Sequence, residues 1–192
     1  MLKSLFIGSL LVICNNTYSQ PDPPKGIVER PYSAGIHLQA YPAGMIRTIA
    51  VEIPTGQRAF ILMRAGMNFA NRKDFSPYND NEVGQGVGGT LGYRLQFYAG
   101  KGSVKTGLNF DIWNMRIQWK NDIGKSYESQ GHTFTMVAQP WVDAGYYLPF
   151  AQEKFEAFLG LGFGREINAI TLGKIVAADW MGSVFLGVSA RL

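Results

Sequence analysis

The sequence lacks a long apolar run outside its N-terminus, and this absence limits how the chain can meet a membrane. Hydrophobic residues make up 46% of its 192 residues, but they are dispersed. No run of about 18 apolar residues, the length that a transmembrane helix requires, follows the N-terminal segment. If the chain spans a membrane, we expect a closed β-barrel, the other structure that satisfies every backbone polar group in lipid.

Charge, cysteine and histidine are also scarce. Charged residues make up 17% of the chain, below the roughly 25% of globular domains. The net charge is only +4 and the basic residues are scattered, so we expect no nucleic-acid partner. Cys14 is the single cysteine, which excludes a disulfide framework and a cysteine-based metal site.

Residues 1–19 have the features of a signal peptide. Lys3 supplies the positive charge, an apolar stretch follows, and small residues precede an expected cleavage after Ser19. The alternative is lipoprotein processing at Cys14. Ile13 disfavours it, because this residue is bulky for the position just before a lipidated cysteine.

After the signal peptide, the proline-rich residues 20–32 predict an extended N-terminal segment. One domain is expected for a chain of this length, and it covers residues 33–192.

From Ser33 onward, apolar and polar residues alternate with a period of two, which predicts β-strands. The abundance of glycine (23 residues) and of aromatic residues (13%) also fits a β protein. The predicted strands cover 33–41, 46–53, 58–69, 90–98, 108–119, 133–148, 155–166 and 182–192.

Two of these strands are predicted to be irregular. In the fifth strand the apolar residues change parity near Trp113 and Asn114, which predicts a β-bulge that turns Arg116 inward. In the sixth strand Pro140 has no N–H for the ladder, which predicts a second bulge.

The two faces of the strands differ in charge. One face is nearly free of charge in mid-strand, as a lipid-facing wall must be, because Lys or Arg at the bilayer midplane costs roughly 2–4 kcal/mol. The other face mixes both signs of charge with many glycines and predicts a crowded interior. The predicted interior polar network is Glu52, Arg64, Arg94, Asp111, Arg116, Asp143, Glu156, Glu166 and Arg191.

The predicted connections alternate in length. Long loops at 70–89 and 121–131 lie at one end, and short links at 99–103 and 149–154 lie at the other. Bacterial outer-membrane barrels have this arrangement, with both termini on the short-turn, periplasmic side. A soluble periplasmic sandwich or barrel is the alternative.

Four aromatic residues carry further expectations. Trp119 and Trp180 are expected near the headgroup level at the loop ends, whereas Trp141 is expected to point inward, as is His37.

The last strand resembles the signal that the barrel-assembly machinery reads, although that signal usually ends in Phe. Its outward residues are Val184, Leu186, Val188, Ala190 and Leu192. With this strand, residues 33–192 resemble the small outer-membrane β-barrel proteins of Gram-negative bacteria, of the OmpA-barrel and OmpX type.

The resemblance implies an all-β, eight-stranded antiparallel up-and-down transmembrane barrel with a filled polar interior. It also implies contact with outer-membrane lipid, including lipopolysaccharide, and with the barrel-assembly machinery. No peptidoglycan-binding domain of the OmpA type is expected, because the chain stops at the barrel.

Residues for catalysis are few. A lipid A-modifying barrel enzyme needs a Ser nucleophile, a His base and a carboxylate. His132, one of two histidines, is followed by Thr133 and Phe134 and lacks the His-x-Ser pattern, although Ser126 and Ser129 lie nearby in sequence. We predict no enzymatic activity and no cofactor.

A cluster of oxygen-bearing side chains in 72–82 lacks the EF-hand spacing, so a solvated loop without a metal is expected. Its members are Asp74, Asn79, Asp80, Asn81 and Glu82. The predicted function is a structural role or an interaction with a protein partner through loops 70–89 and 121–131. The alternatives are a narrow channel for small or hydrophobic solutes and a lipid A-modifying enzyme.

Overall fold

The computed structural model describes residues 32–73 and 76–192, which form nine antiparallel strands. The strands are β1 (Ser33–Tyr41), β2 (Gly44–Pro54), β3 (Ala59–Asn71), β4 (Asn81–Ala99), β5 (Gly102–Asn121), β6 (Ser129–Phe150), β7 (Phe155–Arg165), β8 (Ile167–Leu172) and β9 (Trp180–Arg191). The predicted signal peptide and nearly all of the proline-rich segment lie outside the described residues.

The sheet closes on itself into a barrel. β1 pairs with β2 on one side and with β9 on the other, and the ring continues through the pairing of β5 with β6. Eight strands form the ring, while β8 pairs only with β6 above the end of β7. The predicted all-β, eight-stranded antiparallel barrel is confirmed.

The connections at the two ends differ in length. At the short-turn end, residues 55–58, 100–101 and 151–154 join neighbouring strands. At the loop end, a two-residue turn joins β1 to β2, and the other connections are 72–80, 122–128 and 173–179. The predicted loops 70–89 and 121–131 are therefore too long, because strands occupy part of each.

The N-terminal half of β4 is the larger of these errors. Residues 81–89 were included in the predicted polar loop, and they contain alternating glycines, which have low strand propensity. In the structure the glycines are on the inner face of β4, beside large side chains of β5. A Cβ on Gly86 would lie 2.5 Å from Met115 Sδ, and one on Gly88 would lie 2.7 Å from Trp113 Cε3. The glycines of β4 thus leave space in the lumen for the inward side chains of β5.

β5 has no bulge. It pairs with β4 and with β6 without a register shift, so its alternation continues to the loop end. Trp113, Met115 and Ile117 are buried inside, and Arg116 is exposed on the outer wall. The predicted bulge and the inward orientation of Arg116 are therefore wrong. The upper lumen beside the β4 glycines is filled by apolar side chains, and the parity change in the sequence reflects that change of filling.

The two tryptophans expected at the headgroup level lie on different faces. Trp180 is exposed on the outer wall at the loop end, as predicted. Trp119 is partly buried and packs against the apolar cluster inside the barrel. Its predicted place on the lipid-facing wall is wrong for the same reason as that of Arg116. Trp141 is buried inside, as predicted.

The predicted bulge at Pro140 is also wrong, because β6 pairs with β5 through this residue without a shift. The interruption falls on the neighbouring strand instead. β7 pairs with β6 as far as Trp141, and β8 resumes the pairing at Ala138. Pro140 has no N–H to donate to this ladder. Glu166, between the two strands, donates its own N–H on the side of β9, to Asp179 O at 2.8 Å.

β8 was not predicted from the sequence. It is six residues long and shows a register shift opposite Met136 and Val137, which obscures a period of two. It continues the course of β7 along β6 above the ring.

Burial alternates along the strands, with polar residues inside and apolar residues outside. In β4, for example, Arg94 is fully buried whereas Leu91 is 61% exposed. Exposed apolar side chains cover the middle of the outer wall: Ile36, Ile49, Met63, Leu91, Leu108, Phe110, Leu159, Leu161, Phe163, Val184 and Leu186. This is the reverse of a soluble barrel.

No helix that is long and apolar enough to cross a membrane occurs in the described part of the chain.

Two strand glycines allow a matched test of the inner and outer faces. A Cβ on Gly160 would lie 2.2 Å from Phe185 Cζ and 2.5 Å from the Ala144 carbonyl oxygen, whereas one on Gly182 would meet no atom within 4 Å. We expect Gly160→Ala to lower the free energy of unfolding by about 1–3 kcal/mol, because the backbone must move. Gly182→Ala should change it by less than about 0.5 kcal/mol. Urea unfolding in lipid vesicles measures both, and equal effects would contradict the assigned faces.

Candidate functional site

The lumen of the barrel contains many charged side chains beside its apolar ones. The buried charged residues are Glu52, Arg64, Arg72, Glu82, Arg94, Lys105, Asp111, Asp143, Glu156 and Glu166. They form three groups at successive heights, which we call the Arg94 cluster, the Arg64 cluster and the mouth cluster after their central residues or position.

The Arg94 cluster lies nearest the short-turn end. Arg94 Nη1 donates to Glu52 Oε1 at 2.8 Å and to Tyr147 Oη at 2.7 Å, and Nη2 donates to Asp143 Oδ2 at 2.5 Å. These residues come from β2, β4 and β6, so one guanidinium connects three parts of the wall. Because the guanidinium is charged, each of these contacts is a charge-assisted hydrogen bond. Because Arg94 is fully buried, each is also shielded from water.

Lys105 extends this cluster toward the short-turn end. Its Nζ donates to Glu52 Oε2 at 2.5 Å and to Glu156 Oε2 at 3.2 Å. Glu156 also accepts from Arg191 Nη2 at 2.7 Å, and Arg191 in turn contacts the exposed Glu153. The chain of ion pairs therefore begins among fully buried groups and ends at the surface of the short-turn end.

The Arg64 cluster occupies the middle of the lumen. Arg64 donates to Thr90 Oγ1 at 2.9 Å and to Gln39 Oε1 at 3.1 Å, and its Nη2 lies 3.4 Å from Asp111 Oδ2. The same guanidinium lies over the ring of Trp141, whose Nε1 donates to Asp111 Oδ1 at 2.8 Å. Every charge of this cluster thus has an opposite charge or a dipole beside it, as buried ions require.

Above the Arg64 cluster, the lumen is filled by apolar side chains. The buried apolar cluster includes Trp113, Met115 and Ile117 from β5, with Val137 from the neighbouring β6 and Met181 from β9. One hydrogen bond lies beside these apolar side chains, in which Trp113 Nε1 donates to Gln139 Oε1 at 3.1 Å.

The mouth cluster lies at the loop end and is organised by the Glu82 carboxylate. Glu82 Oε1 accepts from Ser76 Oγ at 2.6 Å and from Asn79 Nδ2 at 2.7 Å. Its Oε2 accepts from Arg72 Nη1 at 3.3 Å and from the backbone N–H of Ala177 at 3.1 Å. A carboxylate with this many donors holds the surrounding loops in one arrangement.

Arg72 joins the mouth cluster to a second carboxylate, that of Glu166, through a short ion pair. Burial raises the pKa of Glu166, and the adjacent Arg72 offsets part of that rise. Burial lowers and the Glu166 carboxylate raises the pKa of Arg72, with a net increase, so the guanidinium stays charged.

Residues 173–179, which we call the mouth segment, fold across the loop end. Val176 and Ala177 are buried there. Three side chains, two from the wall and one from the connection 72–80, donate to carbonyl oxygens of this segment: Thr133 to Lys174 O at 2.8 Å, Asn168 to Val176 O at 2.8 Å, and Asn79 to Ile175 O at 3.1 Å. The mouth segment therefore covers the upper end of the lumen as a fixed part of the structure.

The structure brings together eight residues of the predicted interior network. Glu52, Arg64, Arg94, Asp111, Asp143 and Glu156 are buried in the lumen, Glu166 is in the mouth cluster and Arg191 is at the short-turn end. Arg116 alone of the predicted set lies outside.

Sequence reasoning missed Lys105, Arg72 and Glu82. Lys105 shares the parity of Asp111 in β5, and Arg72 shares that of Arg64 beyond β3, so counting by two would have found both. Glu82 was hidden because β4 was expected to begin at residue 90. The expected solvated loop at 72–82 is wrong in part, since Arg72, Asn79 and Glu82 are buried.

The two histidines face opposite sides of the wall. His37 is buried in the lumen, with its ring centroid 4.3 Å from that of Phe158, and His132 is exposed near the loop end of β6. Among residues 32–73 and 76–192, no group of three or more His, Cys, Asp or Glu side chains is placed to hold a metal ion.

Comparison with known proteins identifies the fold. No protein-family model and no curated protein matches the sequence. Among solved structures, the chain is similar to a major outer membrane protein from Thermus thermophilus, with a TM-score of 0.59 and 12% identity over 85% of this chain and 100% of that one. It is also similar to neisserial surface protein A, with a TM-score of 0.50 and 11% identity over 84% of this chain and 94% of that one.

These likenesses show that the chain has the fold of the outer-membrane β-barrels. The resemblance to the small outer-membrane barrels stated from the sequence is thereby confirmed at the level of the fold.

The substitution Arg94→Met tests the Arg94 cluster. It leaves Asp143 without its cation and Glu52 with Lys105 alone, so we expect the free energy of unfolding to fall by about 3–5 kcal/mol. Arg191→Met, at the partly exposed end of the same chain of ion pairs, should cost no more than about 1 kcal/mol. Urea unfolding in vesicles compares the two variants.

A second substitution separates lost charge pairing from lost packing. Adding Asp143→Asn to Arg94→Met removes the stranded carboxylate and should restore part of the stability. A double variant less stable than Arg94→Met alone would refute the view that unpaired charge causes the loss.

The substitution Glu82→Gln tests the anchor of the mouth segment. The neutral amide makes weaker hydrogen bonds than the carboxylate, so the Ala177 amide should exchange with solvent about tenfold faster. Glu128→Gln, in the exposed 122–128 connection, is the matched control and should leave that rate unchanged. Hydrogen exchange by NMR in detergent micelles gives the rates, and an unaltered Ala177 rate in Glu82→Gln would show that this carboxylate does not hold the segment.

Proposed function

We propose that this chain is a non-enzymatic integral protein of the bacterial outer membrane, with a closed lumen and with loops that contact a partner or a surface. One observation carries the proposal: the barrel has its ion pairs inside and an apolar wall outside. An aqueous environment would favour the opposite arrangement.

The outer wall fits lipid. Side chains such as Leu108 and Leu161, which are 67% and 66% exposed, would leave a wide apolar surface in contact with water. In a bilayer the same side chains contact acyl chains, and the closed ring leaves no backbone edge to solvate.

The inside of the barrel fits a structural role better than conduction. Arg94 and Tyr147 in the Arg94 cluster, Phe185 beside them and Trp113 in the apolar cluster are almost completely buried in the lumen. An eight-stranded barrel is just wide enough to be filled by its own side chains. The mouth segment adds a cover at the loop end.

The loop end supplies the surface for interaction. Tyr78 and Tyr127, in the connections 72–80 and 122–128, are 54% and 64% exposed. Aromatic side chains of this kind are enriched at protein interfaces. In the orientation we propose, the short-turn end with both termini faces the periplasm and the loop end faces outward, as in other bacterial barrels.

Three measurements on the refolded full-length chain test this function. The folded barrel should migrate differently on a gel before and after boiling, and it should remain with vesicles after an alkaline wash. In planar bilayers it should produce no steady conductance steps, because charged and aromatic side chains fill the lumen. A water-soluble protein without a gel shift would exclude the membrane assignment, and reproducible conductance steps would exclude the closed lumen.

A further inference from the structure

The charged residues that face outward from the strands share one sign and one location. Within the nine described strands, every Asp and Glu is buried inside the barrel. The side chains with charge on the outer wall are all basic, and all lie in the loop-end half of their strands: Arg47, Arg116, Lys120 and Arg165. Among the residues of the strands, the outer wall therefore has basic side chains only toward the loop end.

Two of these residues share a groove on the outer wall. Arg47 from β2 and Arg116 from β5 line a cavity of about 610 Å³ together with Met45, Phe69, Gln85 and Gln118. The strand register explains the groove, since Met45, Phe69, Gln85 and Arg116 are successive partners across β2, β3, β4 and β5. The groove thus crosses four strands at the level where the wall changes from apolar to polar.

Both guanidinium groups in the groove lack a carboxylate partner among the described residues. Arg47 lies over the ring of Phe69 at 5.1 Å, and its Nε contacts Met45 Sδ at 3.4 Å. Arg116 lies over the ring of Phe134 at 5.7 Å. Stacking on aromatic rings holds a guanidinium in place while its N–H donors stay available.

An unpaired arginine on a lipid-facing wall needs an anionic partner or water. Its cost falls from roughly 2–4 kcal/mol at the midplane to about 0–1 kcal/mol at the interface, where lipid phosphates lie. The guanidinium fork matches the oxygens of a phosphate. Gln85 and Gln118 add neutral hydrogen-bonding groups beside the two arginines, and the apolar wall below provides contact for acyl chains.

We propose that this groove binds the phosphate headgroup of an anionic lipid in the leaflet at the loop end. Arg47 and Arg116 contact the phosphate, and the lipid's acyl chains run down the wall toward Val87 and Leu91. The inference rests on the proposed function, because only a membrane-inserted barrel brings lipid to this wall.

The test compares lipids that share acyl chains but differ in headgroup charge. The full-length chain is refolded in detergent, and retained lipid is counted by native mass spectrometry with dioleoylphosphatidylglycerol or dioleoylphosphatidylcholine. The variants are Arg47→Gln/Arg116→Gln and the control Lys101→Gln/Lys154→Gln. The control removes the same charge from exposed residues at the short-turn end.

We expect the wild-type barrel and the control to prefer phosphatidylglycerol by about tenfold, and the groove variant to retain no more than about a twofold preference. An undiminished preference in the groove variant, or an equal loss in the control, would overturn the site. Displacement of phosphatidylglycerol by an equimolar amount of inorganic phosphate would overturn the lipid as its source.

The gel shift before and after boiling is recorded for each variant, so that loss of folding is distinguished from loss of binding. If the double variant does not fold, Arg47→Gln and Arg116→Gln are measured singly, and each should lose part of the preference. A wild-type chain that fails to insert would refute the proposed function. One that inserts without a headgroup preference would refute the lipid site alone.

Discussion

The buried pairing of opposite charges in the lumen is the interaction on which the rest of the barrel depends. Eight strands enclose a space that side chains can fill, and here β2, β3, β4, β5, β6 and β7 each contribute ionised groups to it. Each of those groups needs a partner on another strand, so the ion pairs constrain the register around the ring. The outer wall of the nine strands has no carboxylates, because every acidic residue of these strands faces the lumen.

The filling changes from ionic to apolar with height, and glycine placement follows that change. Near the short-turn end and the middle, Arg94 and Arg64 extend across the lumen to carboxylates on facing strands. Higher up, the β4 glycines lie beside Trp113 and Met115, and small residues on one strand accommodate large ones on the next. The mouth segment then completes the filling from the loop end through its hydrogen bonds to Glu82.

The closed barrel and most of its ionic interior could be predicted from the sequence, because period-two alternation determines which side each residue faces. Sequence alternation failed where the lumen ceases to be polar: it predicts Met115, Ile117 and Trp119 on the lipid-facing wall and Arg116 inside, and the structure shows the reverse. It also failed where pairing departs from regularity, at β8. The meeting of Arg72 with Glu166 could not be predicted, since these residues are 94 positions apart and come together only through the closure of the ring. Arg72 and Glu82, by contrast, are neighbours across the connection between β3 and β4.

The uneven height of the rim has a consequence for any molecule that approaches the loop end. β6 is 22 residues long and, with β8, rises on one side, whereas β1 and β2 on the other side end in a two-residue turn. A large molecule arriving at the loop end would meet a high rim on the side of β6 and β8 and a low rim on the side of β1 and β2. Such a molecule could therefore reach the barrel rim from the side of β1 and β2, while β6 and β8 would block its approach from the opposite side.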